Sequence, residues 1–334
     1  MASFVPVSVG DYLKKFGDLL NKKYKSIKSN DLVVKATDGE GMSIETQIVS
    51  AYPKADQSPQ GTVKITYKDK PTASKLEFYT DSQVKITGKA ETTYFKGWKF
   101  TGSGAMIPPY LIIPKKHLSN VAFSAEYTQN KFTGKGSVVY KKAFANASPP
   151  VKAMDAVDLA GAFSFGNNGV SIGGKVGGTY ADKKFAVTGW GAGANVKKGD
   201  IVFGIFSNKF EDVTTGVHYK YSKKTAVGIQ TTMKKAFPKK PEEKKAFSSK
   251  SLMDIGAGVD YKFNKDTTLQ GKVDIGLAMV NPVDTSAKAT LEQTVSVGGV
   301  MEYALTDFNS KLQLTTICKA SGADLGLKLT YGDK

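Results

Sequence analysis

From Asp31 onward hydrophobicity alternates with a period of two, in runs about 9 to 11 residues long, and this constrains the fold more than any other feature. Val157, Leu159, Gly161, Phe163 and Phe165 alternate with Asp158, Ala160, Ala162 and Ser164. The same pattern recurs in Val213 to Tyr221, Ile255 to Phe263 and Leu269 to Leu277. A tilted strand of that length crosses a bilayer, whereas soluble strands average about half of it. Runs of this kind number about nineteen, with the least regular between Tyr94 and Met106. Short links at Thr37 to Gly41, Lys197 to Asp200 and Asn264 to Thr267 suit an antiparallel meander. Three stretches depart from it as long polar or proline-bearing loops: Ile107 to Ser119, Ala143 to Asp155 and Lys234 to Ser251.

The opening segment follows another period. Val9, Tyr12, Leu13, Phe16, Leu19, Leu20, Tyr24 and Ile27 recur at spacings of three and four, which predicts an amphipathic helix. Ser8 with Asp11 reads as a capping box, and Lys22, Lys23 and Lys25 suit the negative end of the helix dipole. Two units follow: residues 1–30, a helix, and residues 31–334, an all-β barrel.

Composition narrows the function. The 334 residues carry a formal charge of +17, and every basic residue is lysine. Arginine is the usual bidentate reader of guanine and phosphate, so a base-reading nucleic-acid protein is excluded while diffuse attraction for anions is not. The single cysteine, Cys318, forms no intramolecular disulfide, and His117 and His218 alone make no zinc cluster, so neither metal nor cofactor is expected. The longest apolar run, Met106 to Pro114, is broken by Pro108 and Pro109 and is too short for a membrane helix. The N-terminus lacks both a secretory apolar core and the pattern of a cleaved presequence, so targeting is expected to be internal.

A soluble barrel of so many strands would enclose more space than its side chains could fill, whereas a large membrane barrel holds an aqueous, polar lumen. The alternation therefore reads as apolar side outward. Facing the lumen on that parity are Lys35, Lys64, Lys85, Lys89, Lys135, Lys175, Lys220, Lys262, Lys272 and Lys328, whose summed field attracts anions. Cys318 shares parity with Leu312 and Leu314 and should meet lipid.

The glycines around Gly173 to Gly178 and Gly189 to Gly193 lack phosphate-loop spacing and read as small residues in tilted strands. His218 has no nucleophile or carboxylate partner in the pattern, so no enzymatic role is expected.

The run GDYLKKFGDLLNKKY resembles the pore helix of voltage-dependent anion channels, with Asp11, Lys14, Asp18, Lys23 and Tyr24 at the family's positions. The final strand, with Asp324, Gly326, Leu329 and Tyr331, is similar to the sorting signal of mitochondrial outer-membrane barrels. The resemblance implies a mitochondrial porin that passes ATP, ADP, phosphate and other small anionic metabolites. It also places Lys14, Lys15, Lys22 and Lys23 in the pore.

Gln83 replaces the glycine of the family's Gly-Leu-Lys segment, and Tyr67 stands where some members carry a membrane-facing glutamate. Two alternatives remain open: a protein-import pore, which should carry acidic lumen patches, and a structural subunit of a larger mitochondrial complex. Membrane lipid and anionic nucleotides are the expected partners, with a homo-oligomer or docking to such a complex also compatible.

Overall fold

The computed structural model describes residues 6–26, 29–37, 41–51, 60–69, 72–79, 84–91, 95–106, 118–143, 155–209, 211–234, 250–280 and 290–332. Among them nineteen strands form a single sheet. The wall begins with β1 (Ser29–Thr37), β2 (Met42–Ala51), β3 (Gln60–Asp69), β4 (Thr72–Tyr79), β5 (Val84–Glu91) and β6 (Trp98–Met106). It continues through β7 (Leu118–Gln129), β8 (Phe132–Ala143), β9 (Asp155–Asn167), β10 (Val170–Ala181), β11 (Lys184–Lys198) and β12 (Ile201–Asn208). It ends with β13 (Asp212–Tyr219), β14 (Thr225–Met233), β15 (Lys250–Lys262), β16 (Thr267–Val280), β17 (Thr290–Leu305), β18 (Ser310–Lys319) and β19 (Gly322–Tyr331).

Sequence neighbours pair antiparallel, and β1 pairs with β19 in parallel, setting Asn30 opposite Leu327 and Val34 opposite Tyr331. An odd meander leaves its first and last strands pointing the same way, so only a parallel ladder can close it. Hydrocarbon offers no water to unpaired N–H and C=O groups, which is why a barrel that spans lipid must have no free edge. No helix among the described residues is long and apolar enough to cross a membrane.

The faces follow the alternation. Phe163, Val217 and Val259 are 51%, 39% and 39% exposed on the outside, beside Ile172, Val176 and Leu325. Such exposure would be costly in water and is the expected state against lipid. Cys318 is exposed and pairs with the outward Val297; Tyr67 lies outward opposite Met42. Ring contacts link Trp98, Phe100, Phe123, Tyr127, Phe132 and Phe165 across β6 to β9, the kind of aromatic girdle that sits at a membrane–water boundary.

Several strands exceed the expected length: β11, β16 and β17 have 15, 14 and 16 residues. Their ladders continue past the alternating apolar core, as where Lys197 and Lys198 of β11 still pair with Val202 and Ile201.

The β9–β10 turn is Asn168–Gly169, with φ of 49° and 87°, the left-handed pair a two-residue hairpin of this twist demands. Gly173 pairs with Gly193 and Gly177 with Gly189, next to a register shift at Gly177/Gly178, and a Cβ on Gly173 would stand 2.2 Å from the Phe163 carbonyl oxygen. Close strand approach accounts for these glycines, and no helix follows them to cradle a phosphate.

Stretches 107–117, 144–154 and 235–249, which hold the three expected loops, fall outside the described residues. The wall resumes earlier than the sequence suggested, since Leu118 and Ser119 already belong to β7. The strand ends that flank these stretches all lie at one rim, which also carries the short turns at Asp182–Lys183 and Ala320–Ser321, and the links at the opposite rim are all short.

Adjacent residues on opposite faces test this wall. With Cys318 first replaced by Ser, Lys175→Cys should react with a water-soluble thiol reagent and Val176→Cys only with one delivered from lipid. Equal labelling of the two by the water-soluble reagent would contradict the inside-out assignment.

Candidate functional site in the lumen

The N-terminal segment lies inside the barrel. A single helix starting at Ser8 does not form; the structure has a 3₁₀ turn at Val9–Asp11, an α-helix (α1, Lys14–Asn21) and a second 3₁₀ turn at Lys22–Ser26. Ser8 accepts the Asp11 N–H through its backbone carbonyl at 2.8 Å and makes no side-chain cap, so the expected capping box is absent. The reason lies in the wall: Asn195 Nδ2 donates to the Tyr12 carbonyl at 3.0 Å, and the helix restarts after it, at Leu13. Ile27 lies outside the described residues.

The hydrophobic effect operates here, because the lumen is aqueous while the outside is lipid. Of the nine buried apolar residues among those described, six belong to this segment: Val9, Tyr12, Phe16, Leu19, Leu20 and Tyr24, each 1–6% exposed. Burying a large apolar side chain contributes about 1.5–3 kcal/mol.

The wall receives them in a hollow of glycines on five strands, β12 to β15 and β17. A Cβ at Gly204 would stand 2.6 Å from the Tyr12 carbonyl oxygen, one at Gly216 2.9 Å from the Phe16 ring and one at Gly228 2.8 Å from Leu19. Gly256 and Gly258 make the same room for Leu20, and Gly298 for Tyr24.

Polar groups then clasp the segment from β8 to β18. Thr133 Oγ1 donates to the Pro6 carbonyl (3.3 Å), Ser164 Oγ to the Val7 carbonyl (2.7 Å), and the Val7 N–H donates to Ser171 Oγ (3.0 Å). Gln270 and Gln313 donate through their amides to the carbonyls of Leu19 and Lys23. Lys23 Nζ reaches Asp260 at 3.3 Å and Glu302 at 3.0 Å. Burial pushes the Tyr12 phenol up to about 12, and burial with the nearby Asp274 and Asp260 raises that of Tyr24, so both rings stay neutral.

The expected lysines fall into two groups. One is held by acids: Lys35 (4.0 Å) and Lys64 (2.7 Å) with Glu45, Lys272 with Asp274 at 2.7 Å, and Lys14 with Asp11 at 3.5 Å. Lys272 faces inward yet is only 9% exposed, roofed by the Tyr24 ring 4.5 Å from its Nζ, so it is a packed residue rather than a solvated wall charge.

The other group has no carboxylate within 4 Å among the described residues: Lys15, Lys22, Lys135, Lys175, Lys220, Lys262 and Lys328. Lys175 stands 4.7 Å over the Phe206 ring. Lys220 lies just past the end of β13, at the rim. Register sets Lys85 opposite Glu77 and Lys89 opposite Thr101.

Missed by the sequence reading were the acids that partner these lysines, although Glu45 opposite Lys64 could have been found by pairing strands. Beside α1 a hollow of about 580 Å3 is lined by Lys15, Lys22, Lys311 and His218 against Asp18 and Asp260. His218 also meets the Phe16 ring edge-on at 6.3 Å. No group of three His, Cys, Asp or Glu among the described residues could hold a metal.

Closed wall, polar lumen and docked helix define a membrane channel of the barrel type. The chain belongs to the eukaryotic porins: that family's model matches residues 5–318. No curated protein matches closely enough in sequence to count as a relative. Among solved structures, a mutant of the Rh. blastica porin is 12% identical with a TM-score of 0.42, covering 83% of this chain and 93% of that one. A triple mutant of the Rhodopseudomonas blastica porin, also 12% identical, has a TM-score of 0.30 and covers 90% and 96%.

If the glycine hollow holds the segment, Gly204→Val should push Tyr12 and Phe16 off the wall while the barrel still assembles. Asn195→Ala, which removes one clasp, should weaken docking by about 1 kcal/mol. Amide exchange at residues 12–20 reports both, and wild-type protection in Gly204→Val would contradict the seating.

Proposed function

We propose that this eukaryotic porin is an anion-preferring metabolite channel of the mitochondrial outer membrane, through which nucleotides, phosphate and small carboxylates diffuse. The observation that carries the reading is the set of lumen-facing lysines with no acid across the ladder, on the wall at Lys175 and Lys262, together with the exposed Lys15 and Lys22 on the helix segment. Paired charges form local dipoles whose fields cancel within a few ångströms, while unpaired ones add to a potential across the pore. Lysine suits passage: its ammonium is a hydrated point charge that attracts phosphate without the bidentate grip of arginine, and a diffusing solute must leave as easily as it enters. Mixed signs in the hollow beside α1 work the same way, offering no deep trap.

The mitochondrial address is supported by the last strand. Leu325, Leu327, Leu329 and Tyr331 face outward, while Asp324 pairs inward with Lys319 at 3.1 Å and Gly326 is buried against the lumen side. A sorting receptor can thus read one apolar edge and one small-polar edge on a strand not yet paired. Leu329→Asn with Tyr331→Asn should leave synthesis unchanged and reduce insertion into mitochondrial outer membrane; normal insertion would remove this support.

Selectivity tests the channel reading. Lys15, Lys22, Lys175 and Lys262 reversed together to Glu change the lumen by about eight charge units and should turn anion preference into cation preference at low salt. Lys23 and Lys272 are left intact because they hold the helix and its roof. The reversal potential in a salt gradient decides the matter, and a wild-type channel that already prefers cations would overturn the assignment.

A further inference from the structure

We propose that the short-turn rim of β11 to β16 is a docking surface for the phosphate headgroups of anionic phospholipids. Three successive turns form it, joined to each other through the backbone: the Lys220 N–H donates to the Asp200 carbonyl at 3.0 Å, and the Lys262 N–H to the Lys224 carbonyl at 2.8 Å. Side-chain hydrogen bonds brace two of the turns. Ser222 Oγ accepts the N–H groups of Lys224 and Thr225, and Asn264 Oδ1 those of Asp266 and Thr267, which presents Lys223 and Lys265 at the tips.

Charge on this rim is concentrated and uncompensated. Lys198, Lys223, Lys224 and Lys265 are exposed at the turns, Lys197, Lys220 and Lys262 add charge on the lumen side of the same rim, and these turns hold only two acids, Asp200 and Asp266. None of these lysines has a carboxylate within 4 Å among the described residues. Several lumen lysines are instead held by acids, as with Lys64 on Glu45 and Lys311 on Glu302. The patch is also bounded: the preceding turn at Asn168–Gly169 carries no charge, and the following one, Thr306–Phe308, carries Asp307.

Aromatic residues fix its depth. Tyr219 and Tyr221 meet edge-on at 6.1 Å, and Tyr261 and Phe263 at 6.4 Å, all four exposed on the outward face. Rings of this kind settle at the boundary between hydrocarbon and headgroups. The turns begin one or two residues further along the chain, which lifts their ammonium groups to the phosphate layer. A row of hydrated point charges spread over three hairpins matches several headgroups lying in one plane, and an isolated phosphate would find only one or two of them.

The test uses the whole protein in phosphatidylcholine liposomes with spin-labelled phosphatidylglycerol or spin-labelled phosphatidylcholine as probe. The motion-restricted fraction should favour phosphatidylglycerol by roughly fivefold and lose most of that preference between roughly 0.1 M and 1 M salt. A Lys198→Gln, Lys223→Gln, Lys224→Gln, Lys265→Gln variant should lose it with conductance unchanged. The four matching Arg substitutions should keep it, and Lys131→Gln, on another turn of this rim, should not affect it. A wild-type protein without preference, or a quadruple Gln variant that retains it, overturns the proposal. Displacement of the labelled lipid by soluble glycerol phosphate overturns it too, since the rim would then be a site for free phosphate. Absence of any lipid preference would leave an acidic soluble protein as the rim's partner.

Discussion

The structure depends on the need to satisfy every backbone N–H and C=O without water. A membrane interior leaves the chain two ways to do so, and a sequence with no long apolar helix takes the closed sheet. Closure settles the rest. It puts one set of alternating side chains against lipid, where apolar contact gains nothing over the solvent, and the other against water. The hydrophobic effect is therefore confined to the inside, where Phe16, Leu19, Leu20 and Tyr24 are buried against the wall. What serves as the core of this protein is a helix pressed into its own wall.

Electrostatics follow from the same geometry. Wall lysines beside acids, across a ladder as with Lys64 and Glu45 or along one strand as with Lys75 and Glu77, have their charge cancelled locally. Those beside alanine, glycine or aromatic neighbours, such as Lys175 opposite Ala162 and Gly191, keep their field. The anion-attracting character thus rests on which residue faces each lysine, and the total of +17 measures it poorly.

Much of this was legible in the sequence, because a period of two is a local property. The outward faces around Phe163, Val217 and Val259 and the lipid side of Cys318 follow from parity alone, whereas the poorly alternating run that forms β6 does not. Long-range contacts were not legible. Asn195 interrupts the helix at Tyr12 from 183 residues away. Gly204, Gly216 and Gly228 read as ordinary strand glycines until ladder pairing sets them side by side under Phe16 and Leu19. Lys272 shows the same limit: its parity was right, but only the fold brings Tyr24 over it.

The parallel seam also has a history within each molecule. It joins residue 30 to residue 327, so nearly the whole chain must be in place before it can form, and the entropy of closing that loop falls on a ladder slightly weaker per residue than its antiparallel neighbours. Once shut, it offers the N-terminal segment no gap to slip through. The segment must reach the lumen while β1 and β19 are still apart or thread in from a rim, and its clasps on β8 to β18 tether the end of the chain that leads directly into β1. Topology thereby orders one event: the seam can lock only once both ends of the wall, β1 and β19, are in place.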